Sequence, residues 1–120
     1  MKKLTAILVL SGLLLIMSFH GRAQNIALNK PAYASSVQSG TSFTANLAVD
    51  GNYATRWSSA PSDLQSIYVD LGSQYNISRV KIAWETALGK NYNIDVSTDG
   101  SVWTPIRSVT NNTSLTNDNT

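Results

Sequence analysis

Residues Asn46 to Ser58 read NLAVDGNYATRWS, and the reading of this stretch decides the fold. A short apolar turn leads into Asp50-Gly51-Asn52, a trio that bends the backbone sharply because glycine and short amide or carboxyl side chains support tight turns. Thr55-Arg56-Trp57 then enters a strand. The result is an oxygen-rich loop beside a large hydrophobic anchor. Asp50 offers a carboxylate, Thr55 a hydroxyl, and the bent backbone its carbonyls, all oxygens of the kind a hard cation takes. An Asp-Gly-Asn turn capped by its own side chain accounts for the same letters, so both readings stand at this point.

Downstream of the loop the pattern has period two. Ile67, Val69 and Leu71 fall on one face opposite Tyr68 and Asp70. Val80, Ile82 and Trp84 oppose Lys81, Ala83 and Glu85, and Tyr92, Ile94 and Val96 oppose Asn93 and Asp95. Such alternation marks half-buried strands. Leu71-Gly72-Ser73-Gln74 reads as one turn and Thr98-Asp99-Gly100-Ser101 as a hairpin turn, with Val102 to Val109 as the return strand. Short strands with regular turn signals predict an antiparallel β-sandwich. The segment Asn111 to Thr120 is polar, nearly free of apolar groups, and reads as a loop.

The N-terminus has a different character. Lys2-Lys3 precedes an apolar run, Leu4 to Phe19, and small residues Gly21 and Ala23 follow it. The run is too short for a comfortable membrane span, so residues 1–23 read as a secretory signal peptide and 24–120 as one small domain. With Lys2, Lys3 and Arg22 removed, six lysines and arginines face seven acidic residues, and the net charge moves from +2 to −1. A phosphate-tracking surface for nucleic acid is therefore not expected. The single histidine, His20, lies in the leader, and there is no cysteine, which excludes both disulfides and a lipidated N-terminal cysteine.

Three consecutive blocks, NLAVDGNYATRWS, SIYVDLGSQYNISRVKIAWE (Ser66 to Glu85) and YNIDVSTDGSVW (Tyr92 to Trp103), resemble in order the discoidin domain. That family is also called the coagulation-factor five/eight type C domain and, in bacteria, the family 32 carbohydrate-binding module. The resemblance runs from about Asn25 onward and implies an all-β jelly-roll sandwich of the galactose-binding type. It corresponds to roughly the first two-thirds of the domain, so the sandwich is expected to be incomplete and of low stability. The absence of cysteine points to the bacterial branch, where a bound calcium ion often supplies local restraint.

The resemblance also implies site residues. The cation ligands correspond to the Leu47 carbonyl, the Asp50 carboxylate, the Asn52 carbonyl, and the carbonyl and hydroxyl of Thr55. With one negative charge among them, binding is expected to be weak. The glycan loops correspond to Val37 to Phe43, Ser58 to Asp63 and Glu85 to Asn91, with Gln38, Thr41, Ser58, Glu85, Lys90 and Asn91 as candidate contacts. Galactose-binding members typically carry histidine and arginine where this chain has Ser58 and Glu85, which argues against a strict galactose preference. Glu85 and Lys90 can accept and donate hydrogen bonds to hydroxyls or to an amino sugar, and read equally well as a solvated strand end with a loop charge.

Trp57, Trp84 and Trp103 pattern as core aromatics rather than sugar platforms. Catalysis finds no support: Glu85 is the only glutamate, and no two carboxylates are set across a scissile bond. Asn76-Ile77-Ser78 and the overlapping triplets at Asn111 and Asn112 match the N-glycosylation pattern, as chance allows in an asparagine-rich chain. The expectation is a secreted, periplasmic or surface-held, non-catalytic carbohydrate-binding module, belonging with a catalytic module in a larger glycan-active protein. An adhesion module for a protein or membrane surface is the alternative, and a non-functional fragment the third. The membrane version is disfavoured, since Phe43 and Leu88 are the only plausible apolar spikes and the charge is slightly negative.

Overall fold

A computed structural model describes residues 24–120, and the signal-peptide expectation for residues 1–23 lies outside them. The described chain is built from antiparallel strand pairs. Strand β1 (Ala32–Ala34) pairs with β2 (Ile67–Val69), β3 (Val80–Ala83) with β6 (Thr116–Asn119), and β4 (Tyr92–Val96) with β5 (Thr104–Val109). A single 3-10 turn, Ala45–Ala48, packs against β1. This all-β architecture agrees with the sandwich expectation.

The period-two reading holds in β3 and β4 but not in β2, where Ile67 and Tyr68 are both exposed. Val80 and Ile82 are half-buried while Lys81 and Ala83 face solvent, and the same alternation runs through Tyr92, Ile94 and Val96. Both turns form where glycine permits them, with Gly72 at φ 77° and Gly100 at φ 73°. Asp99 Oδ1 accepts the amides of Ser101 and Val102, closing the β4–β5 hairpin. The return strand begins two residues later than expected, at Thr104, and a bulge at Ile94/Asp95 precedes the step where Pro105 opposes Asp95. Proline has no amide to give a neighbour, which suits β5 to the edge of its pair.

One expectation fails. The polar tail is not wholly loop, because Thr116–Asn119 forms β6 along β3, with Val80 opposite Asn119 and Ala83 opposite Thr116. Its inward positions are asparagines rather than hydrocarbons. Asn117 Oδ1 accepts the Trp84 indole N–H at 2.6 Å, and the buried Asn119 donates to the Val80 carbonyl at 3.2 Å. Asp118 faces out and forms a forked ion pair with Arg79, which holds the Asp118 carboxyl below the usual carboxylate range. Being exposed, that pair sets register more than it adds stability.

Trp103 is the second correction. It was expected over the core, but it is 40% exposed and leans on the outward-facing Tyr68, with ring centroids 5.6 Å apart. Tyr68 in turn stacks on Tyr33 across β1–β2. Apolar burial is slight throughout: among the described residues Ala32 and Ala45 are the fully buried apolar ones, and no large side chain is wholly enclosed.

Candidate functional site

The oxygen-rich loop closes on itself. Asp50 Oδ1 accepts the Asn52 amide at 2.8 Å, and the Asn52 side chain accepts the Ala54 amide at 3.0 Å. The Thr55 hydroxyl lies 2.6 Å from Asp50 Oδ2 and 2.8 Å from the Asn52 carbonyl. A hydroxyl has one proton to share between those two acceptors, so three oxygens converge with a single hydrogen among them. Such a set fits a hard cation and also stands as a self-capped turn. Leu47 lines the same shallow recess as Asp50. The Thr55 hydroxyl foremost, then the Asn52 amide, hold the Asp50 carboxyl below its usual range, so it is ionised at neutral pH. Among the described residues no three histidine, cysteine, aspartate or glutamate side chains cluster.

Gly51 is fixed here for two reasons. Its φ is 77°, and a Cβ at this position would lie 2.8 Å from a Leu28 methyl. The loop therefore rests on the segment before β1, and Asn29 donates its amide to the Val49 carbonyl at 2.7 Å.

Of the candidate glycan contacts, three form one unit. Gln38 donates its amide to the Ser58 carbonyl at 2.7 Å, and the Ser58 hydroxyl donates to Gln38 Oε1 at 2.9 Å. The amide and hydroxyl of Thr41 both reach the Gln38 carbonyl. Ser58 also donates its amide to the Phe43 carbonyl, and Arg56 lies with its guanidinium 4.3 Å from the Phe43 ring centroid. Phe43 is thereby covered by a cation rather than free as a membrane spike, and Leu88 is half-buried. Among the described residues the most exposed large apolar side chain is Leu64, at 99%, held at φ 65° in the loop after Ser58.

Glu85 sits just past β3 and is exposed. Its two oxygens accept the Thr86 hydroxyl at 2.8 Å and the Ala87 amide at 3.1 Å. The Ala87 amide foremost and the Thr86 hydroxyl next keep this carboxyl below its usual range, with Arg56 adding a smaller attraction. At the far end of this loop the Lys90 backbone carbonyl accepts the Asn112 amide at 2.8 Å, and Asn91 Oδ1 accepts the Asn111 amide at 3.0 Å. These contacts run to the tail.

Sequence reasoning missed Arg56 and Asn112. The first adjoins Thr55, so the motif read for the cation already contained the signal. The second was hidden in the run read as loop.

Comparison with known proteins follows the same lines. The family of NedA-like, galactose-binding domains, of F5/F8 type C, matches residues 47–120. The structure is similar to chitosan-binding module 1 of a chitosanase/glucanase from Paenibacillus sp. IK-5. The two are 43% identical with TM-score 0.75, over 80% of this chain and 75% of that one. It is also similar to chitosan-binding module 2 of that enzyme, whose structure is a complex with chitotriose. Here the identity is 43% and the TM-score 0.71, over 78% and 75% of the two chains. No curated protein matches the chain.

Proposed function

The chain belongs to the F5/F8 type C family of galactose-binding-like domains, and from that premise we propose that it is a non-catalytic carbohydrate-binding module directed at polysaccharides of 2-amino sugars. One observation carries the reading. Glu85 is an exposed carboxylate kept ionised by a backbone amide and a hydroxyl, and Gln38, Thr41 and Ser58 form a hydrogen-bonded unit of amide and hydroxyl groups. A sugar ammonium pairs with the first, and ring hydroxyls suit the second. The family's galactose preference finds no histidine at Ser58 and no arginine at Glu85, whereas a cationic sugar gains from a carboxylate at the latter. Binding to chitosan by the two relatives supports the same class of ligand.

In a modular protein, such a domain raises the local concentration of a catalytic partner on its polymer without performing chemistry. We propose that partner, and export with the mature chain beginning at Gln24, as part of this reading. N-terminal sequencing of the secreted product tests export, and recovery of a membrane-held chain still starting at Met1 refutes it.

Titration of the protein with chitotriose and with its fully N-acetylated counterpart tests the ligand class. The expected result is clear preference for the free amine; equal binding, or none, overturns the amino-sugar reading.

Calcium is the proposed cation of the Asp50 loop, held by the Asp50 carboxylate, the carbonyls of Leu47 and Asn52, and both oxygens of Thr55. It supplies charge compensation and rigidity to the loop that precedes Trp57, not chemistry. Added calcium is expected to raise the melting temperature by several degrees at concentrations well above its dissociation constant, through selective binding to the folded state. Asp50→Asn is expected to remove that rise, because no other carboxylate is present in the loop. An unchanged melting temperature in the parent protein would leave the loop as an ordinary turn.

A further inference from the structure

We infer that Asn112 and Gly89 are positioning residues for the ligand-binding loop and act through Glu85, an inference that rests on the amino-sugar reading above. The loop from Glu85 to Asn91 has almost no regular structure of its own, yet both of its ends are tied. At the near end, the Thr86 hydroxyl and Ala87 amide grip the Glu85 carboxylate. At the far end, Asn112 fastens two successive carbonyls: its side-chain amide donates to Gly89 at 3.1 Å and its backbone amide to Lys90 at 2.8 Å.

Asn112 is itself buried at 7% exposure, and its Oδ1 accepts the Ser114 amide and the Asn117 side-chain amide. Asn117 in turn holds the Trp84 indole N–H. The indole presses back on the loop, and a Cβ at Gly89 would lie 2.8 Å from Trp84 Cη2. Gly89 is therefore required by contact rather than by a left-handed backbone. The loop is clamped between an indole and an asparagine, and the far-end clamp fixes where the near-end donors hold the carboxylate.

Two substitutions attack the clamp from different sides. Asn112→Asp keeps the Oδ1 acceptor for Ser114 and Asn117 but replaces the donor to Gly89 with an oxygen that repels its carbonyl. Gly89→Ala leaves Asn112 intact and forces the loop off the indole. The readout is the ratio of affinities for chitotriose and its N-acetylated counterpart, measured by titration on the full chain. Partial unfolding scales both apparent affinities by the same folded fraction, so this ratio reports the site and not the stability.

Both variants are expected to lose the amine preference by about tenfold, and Asn112→Asp in a Glu85→Ala background is expected to change the ratio no further. A parent protein without amine preference refutes the amino-sugar reading itself. A selective parent whose variants keep the same ratio, however much their affinities fall together, overturns the positioning role. So does an additive effect in the Glu85→Ala background.

Discussion

Trp84→Ala is expected to abolish cooperative unfolding, whereas Trp103→Ala leaves the transition nearly in place. Both indoles read as core aromatics in the sequence, Trp84 from the strand alternation and Trp103 from its place just after a hairpin turn. In the structure Trp84 is half-buried, tilted onto Tyr92 with ring centroids 5.2 Å apart, and hydrogen-bonded through Nε1 to Asn117. Its backbone amide also donates to the Leu115 carbonyl, one step beyond the β3–β6 ladder. Truncation removes the ring that Tyr92 and Gly89 rest on and strands the Asn117 carbonyl, so transfer, cavity and hydrogen-bond losses coincide. Removing a buried large aromatic costs about 3 to 5 kcal/mol, and the half-exposed Trp84 belongs near the lower figure. With no large side chain wholly enclosed among the described residues, total stability is expected at or below the roughly 5 kcal/mol floor of ordinary domains. Thermal and urea unfolding followed by circular dichroism read the outcome. A Trp84→Ala protein with an unchanged midpoint contradicts the assignment, as does a Trp103→Ala protein that unfolds outright.

The parts of this fold that were legible in the sequence are those whose signal is hydrocarbon spacing or turn chemistry. Val80, Ile82 and Trp84, or Tyr92, Ile94 and Val96, alternate as any half-buried strand does, and Gly72 and Gly100 sit where positive φ is needed. Strand β6 was not legible because its inward residues are Asn117 and Asn119. Their burial depends on partners, an indole N–H and a carbonyl, that lie 33 and 39 residues earlier. Hydropathy cannot register a polar group whose hydrogen bonds are supplied from so far away. Trp103 was misjudged for the converse reason: an aromatic after a hairpin turn can fold either way, and Tyr68 offered it a partner on the outer face.

For the site, motif and loop position named the Asp50 loop and the candidates Gln38, Thr41 and Ser58, but not the hydrogen bond that joins Gln38 to Ser58. Nor were the bonds of the Lys90 carbonyl and Asn91 legible, because they hang on Asn111 and Asn112 in the misread tail.

Glu85→Gln is expected to weaken binding of chitotriose on the order of tenfold or more, while leaving the melting temperature close to that of the parent protein. The substitution keeps the shape and one acceptor but removes the charge, and hydrogen bonds to an ionised acceptor are the stronger kind. Fold is spared because the side chain is exposed and its partners, the Thr86 hydroxyl and the Ala87 amide, reach solvent when released. The pH dependence follows from the sign of the shift. Glu85 ionises below the usual carboxylate range, so its charge, and with it the affinity, persists into moderately acidic solution and fails only as pH falls through that lowered value. At the other end, affinity declines as rising pH strips the proton from the sugar amine. The parent protein therefore binds across a plateau with two limbs. Glu85→Gln flattens the acid limb, since no carboxylate remains there to protonate, and binds at a reduced level that still falls on the alkaline side wherever ring-hydroxyl contacts favour the protonated sugar. Titrations at a series of pH values, with the N-acetylated trisaccharide as the uncharged reference, read both effects. An acid limb that survives in Glu85→Gln assigns the titrating group elsewhere and removes Glu85 from the ammonium subsite.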